Sequence, residues 1–303
     1  MSTFEGVFPI LITPFDNSGN VDHLSFDRTI RFMADIGVNG ITILGVLGEA
    51  NRMLDSERKQ LIETAVKSAG GRIPVVVGTS HTGTQSTVML SQMAESLGAS
   101  GVMVTPSREP APNEDRILEY FYQVAESISI PIVLQDHPAS TQVFMSVPLI
   151  LRMISEIPSV ACIKAEATPT PAKVSAFLNR MNRDVTILTG LGALYGRYEL
   201  ERGSHGFMTG FAFPEVLIAM VNAAKDERWE DVREIYQRFL PLIVFEQQPG
   251  VGIRKEIFRM RGLIDNNTVR HPGANIDGAS REQLEMVLET TLPGVDTTKP
   301  LEV

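Results

Sequence analysis

Short apolar runs rich in β-branched residues recur eight times along the chain, and a longer segment with apolar residues at three- and four-residue spacing separates most of them. The runs are VFPILI (7 to 12), GITILGV (40 to 46), PVVVGT (74 to 79), GVMVTP (101 to 106), PIVLQD (131 to 136), ACIKAE (161 to 166), VTILTG (185 to 190) and HGFMTG (205 to 210). Because they are apolar on both faces, they suit strands of a buried parallel sheet. The intervening segments, such as 25 to 37, 56 to 70 and 84 to 98, read as helices, and these three finish at or beside Gly37, Gly70 and Gly98, as helix C-caps often do. Eight βα units at roughly 30-residue spacing predict a (β/α)8 TIM barrel, with an open doubly wound sheet as the alternative that pattern alone leaves standing.

Beyond the eighth run only helical periodicity remains, over 214 to 225, 228 to 244, 251 to 262 and 281 to 291. The expected organisation is therefore a barrel over residues 1 to 225 and a C-terminal helical extension over 226 to 303. No low-complexity linker joins the two, so the extension is expected to pack on the barrel. The last residues, GVDTTKPLEV, carry no periodicity and are expected to be loose.

Composition narrows the function classes. The 303 residues are 43% hydrophobic and 21% charged, which a folded core requires and a disordered chain lacks. Lys and Arg total 27 against 36 Asp and Glu, a net charge of -9 without a long basic run, so no nucleic-acid partner is expected. A single cysteine, Cys162, excludes an intrachain disulfide and a thiolate metal cluster, and reads as a small buried apolar residue. The N-terminus lacks a basic segment and its apolar stretch is cut by Pro9 and Pro14, unlike a signal peptide. No stretch reaches the about 18 uninterrupted apolar residues of a spanning helix, so no membrane contact and a cytoplasmic location are expected.

Barrel enzymes place catalytic groups at the C-terminal ends of strands and in the loops that follow. Lys164 is the most informative residue there, because it lies inside the apolar run ACIKAE, where an ammonium is costly unless it is paired or functional. Desolvation favours the neutral amine of a lysine, and a neutral amine attacks a ketone carbonyl. The structural alternative is a lysine paired with a carboxylate. Glu166, two residues on, should share the inward face, either pairing with Lys164 or shuttling a proton. Gln135 and His137 end the fifth run, and His81 follows the third. Either histidine could act as a general base. A two-histidine metal site with Asp136 is conceivable, but the ligands lack a metal-binding spacing, and no metal is expected. Arg108, after the fourth run, could hold a substrate carboxylate or pair with an acidic helix. Met208, in the eighth run, is a further candidate to contact substrate. GVLGEA (45 to 50) and GLGALYG (190 to 196) are glycine-bearing turns suited to presenting N–H groups to an anion, yet neither is a P-loop or a dinucleotide fingerprint, so no nucleotide cofactor is expected.

With these residues in hand, the chain resembles the dihydrodipicolinate synthase and N-acetylneuraminate lyase superfamily along nearly its whole length. GVFPILITPFDNSGNVD, with Thr13, Pro14 and Phe15, resembles the family's opening. GVLGEA resembles its Gly-Thr-Thr-Gly-Glu loop, VLQDHPAST (133 to 141) the strand that normally reads Tyr-Asn-x-Pro, and CIKAEAT (162 to 168) the Schiff-base lysine strand. The resemblance implies a lysine imine on Lys164, a small 2-oxo acid substrate, no cofactor, and a homo-oligomer, dimer or tetramer. Departures stand at the loop threonines, here Val46 and Leu47, at the catalytic tyrosine, here Gln135, and at the tyrosine pair, here Ser107 and Arg108. Ser140 occupies the position of an arginine that serves dihydrodipicolinate synthases. With the hydroxyl relay missing, dihydrodipicolinate synthesis is not expected. QDHPAS and PGVGIRKEIFRMRGLIDNNTVRHPG look more like the branch containing L-2-keto-3-deoxyarabonate dehydratase, which implies a 2-keto-3-deoxy sugar acid dehydratase or aldolase. A pyruvate-condensing enzyme and a non-catalytic 2-oxo-acid binder are the alternatives. The substrate carboxylate is expected on N–H groups of Leu47, Gly48 and Glu49, and Gln135, His137 or Glu166 are expected to act at C3 and beyond.

Overall fold

A computed structural model describes residues 4–108, 113–248 and 250–303. Its strands are β1 (Gly6–Val7), β2 (Ile41–Ile43), β3 (Val75–Gly78), β4 (Gly101–Val104), β5 (Ile132–Asp136), β6 (Val160–Ala165), β7 (Thr186–Thr189) and β8 (Gly206–Phe207). All neighbours are parallel, in the order β1-β8-β7-β6-β5-β4-β3-β2. A parallel bridge from Ile10 to Thr42 joins the far ends of that series and closes the ring, which rules out the open sheet. The protein is a (β/α)8 TIM barrel with a C-terminal helical extension. Each strand falls within or beside its expected run, and β1 and β8 are the most shortened.

Around the strands lie α1 (His23–Asp35), α2 (Asp55–Ala69), α3 (Thr84–Ser96), α4 (Glu114–Ser127), the single turn α5 (Pro138–Thr141), α6 (Val147–Glu156), α7 (Thr170–Leu178), α8 (Gly196–Glu201) and α9 (Pro214–Lys225). The extension adds α10 (Trp229–Phe245), α11 (Gly252–Met260) and α12 (Gly278–Thr291). Local chemistry sets several ends: the Asp22 carboxylate accepts from the N–H groups of Leu24 and Ser25 at the start of α1, and Gly70 takes the left-handed conformation that stops α2. Among the described residues no helix is long and apolar enough to cross a membrane.

Two apolar layers follow from strand alternation. One, inside the barrel, includes Phe8, Ile10, Met103, Val133, Cys162 and Met208. The other, between strands and helices, takes Leu134, Ile163, Ala165 and the helix faces. Since Cys162 points inward and Ile163 and Ala165 outward, Lys164 must point inward as well. By the same count Gln135 points inward and Asp136 outward.

The extension is tied to the barrel by buried and half-buried ion pairs. Lys255 of α11 reaches Glu49, Arg261 pairs with Glu215 of α9 and donates to the Ala212 carbonyl at 2.6 Å, and Arg270 pairs with Glu57 of α2 at 2.7 Å. The final residues are anchored, contrary to the expectation of a loose tail: Leu301 is buried and its N–H donates to Glu215, while Arg261 Nε donates to the Thr297 carbonyl. The arginine that receives the tail lies far away in sequence, so local periodicity carried no trace of it.

Candidate active site

β5 and β6 are paired so that Gln135 and Lys164 are direct partners in register. Both side chains therefore stand side by side at the C-terminal mouth, and Glu166, past the end of β6, joins them. Lys164 Nζ lies 3.1 Å from Glu166 Oε2, and Gln135 Nε2 donates to the same oxygen at 2.6 Å. The other oxygen, Oε1, accepts from the Leu191 N–H in the turn after β7. Lys164, Gln135 and Glu166 are all buried, at 4%, 4% and 7% exposure, so the amine and its counterion sit in one low-dielectric pocket. Burial pushes the Glu166 carboxyl up, but the Lys164 ammonium, the nearby His137 and the Gln135 hydrogen bond outweigh it and hold the group below the usual carboxylate range. An ionised carboxylate touching a buried amine can take and return a proton at the carbon next to one bound to that amine.

His137 caps α5 half-buried, its Nδ1 2.8 Å from Ser140 Oγ. Asp136 faces the helices and pairs with Lys173 of α7 at 2.8 Å, so it cannot join the histidines. His81 lies in the loop after β3, exposed, with Nδ1 accepting from the Gly83 N–H. Among the described residues no group of three His, Cys, Asp or Glu is placed to hold a metal ion. Cys162 is fully buried inside the barrel, and desolvation pushes its thiol up to about 12. Arg108 is exposed beyond β4. Met208 is fully buried in the barrel interior, beneath the mouth and packed with the cluster that Leu47 abuts.

The loop after β2 corrects part of the expected carboxylate site. The Gly48 and Glu49 N–H groups donate to the Gly45 and Val46 carbonyls, at 3.0 and 3.1 Å, and so are taken up by the turn itself. The Glu49 side chain does not face a ligand either, because it is 1% exposed and held by Lys255, Arg52 and the Arg270 N–H. The N–H groups of Val46 and Leu47, by contrast, have no acceptor among the described residues. Thr13 Oγ1 donates to the Gly48 carbonyl at 2.7 Å and braces the loop.

Several groups around the site had no local signal. Glu199 of α8 is fully buried behind β6 and β7, where it accepts from Thr170, and burial raises its carboxyl to about 7 against the pull of that bond. Arg254 and Lys255 are adjacent in a segment whose pattern marks them as solvent-facing, yet both are buried by partners from the loops after β2 and β8 and the end of α10.

The mouth of the barrel thus holds a buried, inward amine paired with a carboxylate, with a glycine-bearing turn after β2 at the same end. The model of the dihydrodipicolinate synthetase family matches residues 3–291. The chain belongs to this family and is a lyase of it. It is 35% identical over 285 residues to the L-2-keto-3-deoxyarabonate dehydratase of Azospirillum brasilense, covering 92% of each chain. It is 33% identical over 290 residues to the 4-hydroxy-tetrahydrodipicolinate synthase of Persephonella marina, covering 94% of this chain and 98% of the relative. Among solved structures, the crystal structure of dihydrodipicolinate synthase from Rhodopseudomonas palustris superposes with a TM-score of 0.90 at 33% identity, over 94% of this chain and 97% of the other.

Proposed function

We propose that Lys164 forms a Schiff base with a small 2-oxo acid and that the reaction is loss of water from a 2-keto-3-deoxy sugar acid. The observation that carries this reading is the buried Lys164–Glu166 pair, with Gln135 fixing the carboxylate. The Nζ attacks C2 and water leaves, giving an iminium that withdraws electrons from the C2–C3 bond. Glu166 removes a C3 proton, and the resulting enamine expels the C4 hydroxyl, which departs as water once a proton is supplied. His137, half-buried just past β5 and close enough to Glu166 for its charge to act there, supplies it. Gln135 orients the carboxylate and cannot itself titrate. The likeness to a keto-deoxy sugar acid dehydratase supports the substrate class, and Gln135 in place of a tyrosine supports dehydration over condensation. The chain functions without a cofactor, as a homo-oligomer in the cytoplasm.

Retro-aldol cleavage is the second reading, because it uses the same iminium: the C4 hydroxyl loses its proton, the C3–C4 bond breaks with release of an aldehyde, and the enamine left on Lys164 takes a proton at C3 and is hydrolysed by water to pyruvate and the free amine. A panel of 3-deoxy-2-oxo pentonates and hexonates separates the two. Dehydration gives a product lighter by one water and no pyruvate by a lactate dehydrogenase couple. Stoichiometric pyruvate would establish the aldolase, and no turnover with any member would overturn the proposal.

A further inference from the structure

Arg254 is a buried cation near the mouth that the proposed chemistry leaves unused. It lies in α11 and is 7% exposed, and its Nε lies 2.9 Å from Glu246 Oε2 at the end of α10 and donates to the Gly210 carbonyl just past β8 at 3.0 Å. Its two Nη groups have no acceptor among the described residues, although the guanidinium carries five N–H donors. Each of the two strand-end turns beside it carries a glycine at the point of closest approach. A Cβ on Gly192 would meet Gln247 Nε2 at 2.2 Å and Arg254 Nη2 at 3.3 Å, and a Cβ on Gly210 would meet Leu47 Cδ1 at 2.0 Å and Arg254 Nε at 3.2 Å. Leu47 and the guanidinium therefore stand over the same glycine. Leu47 belongs to the loop whose Val46 and Leu47 N–H groups lack acceptors, and Gly192 follows Leu191, whose N–H is bound to Glu166. The guanidinium thus lies beside the Leu47 side chain of one loop and beside the turn that touches the Glu166 carboxylate. Its counterion is a weak one: burial raises Glu246 to about 7 against the opposing pull of Arg254. A buried cation whose partner resists ionisation favours a second anion.

We propose that Arg254 binds the C1 carboxylate of the 2-oxo acid through its Nη groups, together with the Val46 and Leu47 N–H groups. This deepens the proposed function and rests on its 2-oxo acid substrate. Arg254 is then a substrate-binding residue, replacing with charge the contacts that hydroxyls at Val46 and Leu47 would have given.

The test compares an anionic with a neutral ketone. Pyruvate and hydroxyacetone share the carbonyl, and pyruvate alone has the carboxylate. Because Arg254→Met alone strands Glu246 and risks misfolding, the main variant is Glu246→Gln with Arg254→Met, which removes both buried charges, and Glu246→Gln alone is the control that keeps the guanidinium. Binding is read by calorimetry in a Lys164→Ala background, where no imine forms, and by borohydride trapping with Lys164 present. The double substitution is expected to weaken pyruvate binding on the order of 10- to 10²-fold, the weight of hydrogen bonds to a charged group, and to leave hydroxyacetone unchanged. Glu246→Gln alone, which keeps the guanidinium, should leave hydroxyacetone unchanged and pyruvate binding undiminished, and Arg254→Lys should recover part of the loss. Equal losses for the two ketones, or undiminished pyruvate binding, would overturn the assignment. Calorimetric pyruvate binding that depends on Arg254, with no trapping in the unaltered chain, would leave the assignment standing and refute the Schiff base.

Discussion

Replacing Glu49 by Gln tests how the C-terminal extension holds the loop after β2. Glu49 Oε1 lies 2.5 Å from Lys255 Nζ, which is itself fully buried, donates to the Thr268 carbonyl at 2.6 Å and stands 4.2 Å over the Phe15 ring. Burial already lowers Lys255 to about 8, against the charge of Glu49, so that carboxylate is what keeps the ammonium in the interior. Glutamine preserves the shape and the acceptor for Arg52 but removes the counterion. Breaking a buried pair from one side costs about 3 to 5 kcal/mol, whereas removing both charges is close to neutral. For a domain of this size about 2 °C of melting temperature goes with each kcal/mol, so Glu49→Gln should melt about 6 to 10 °C lower at pH 7. Lys255→Met should fall similarly, and the double variant should regain most of the loss in a calorimetric double-mutant cycle. A double variant whose loss equals the sum of the single losses would show that the two groups do not act as a pair.

Glu199 gives a pH signature. Its folded value, raised by burial to about 7 from an ordinary 4.5, means that the native state holds a proton the unfolded chain has lost between those limits, so this contribution is complete below pH 4.5 and vanishes as pH rises to 7. Glu199→Gln should therefore gain stability relative to the unaltered chain, by up to about 3 kcal/mol, as pH goes from 5 to 8, and a constant difference in melting temperature would contradict this. Glu166→Gln should lower turnover by about 10²- to 10⁴-fold. Gln135→Ala should also weaken turnover while leaving pyruvate trapping at Lys164 intact; loss of trapping would assign Gln135 to imine formation. Condensation of pyruvate with aspartate semialdehyde should be slower by about 10²- to 10⁴-fold than in an enzyme with the full hydroxyl relay, and an ordinary turnover number would show that Val46, Leu47, Arg108 and Gln135 do not matter as argued.

The barrel was legible because its evidence is local and repeated: each strand is a short apolar run, and alternation alone turned Lys164, Glu166 and Gln135 to the same interior. Contacts across the fold were not legible. The loop sequence marks Glu49 as a substrate-binding candidate, and its commitment to Lys255 depends on a helix about 200 residues away that only the folded chain brings near. The Gly48 and Glu49 N–H groups failed as expected anion donors for a more local reason: Glu49 takes the left-handed conformation, with φ of 54°, and closes the turn on itself. Glu199 and Arg254 carry no local signal because charged residues in amphipathic helical segments read as a solvated face, and no spacing marks the ones that turn inward.

Borohydride trapping bears most directly on Lys164. Incubation with pyruvate or a 3-deoxy-2-oxo sugar acid, reduction and intact-mass measurement should add one ligand per chain, mapped by peptide digestion to Lys164 and absent from Lys164→Ala. Labelling that persists in Lys164→Ala, or none with any 2-oxo acid, would contradict the Schiff-base mechanism.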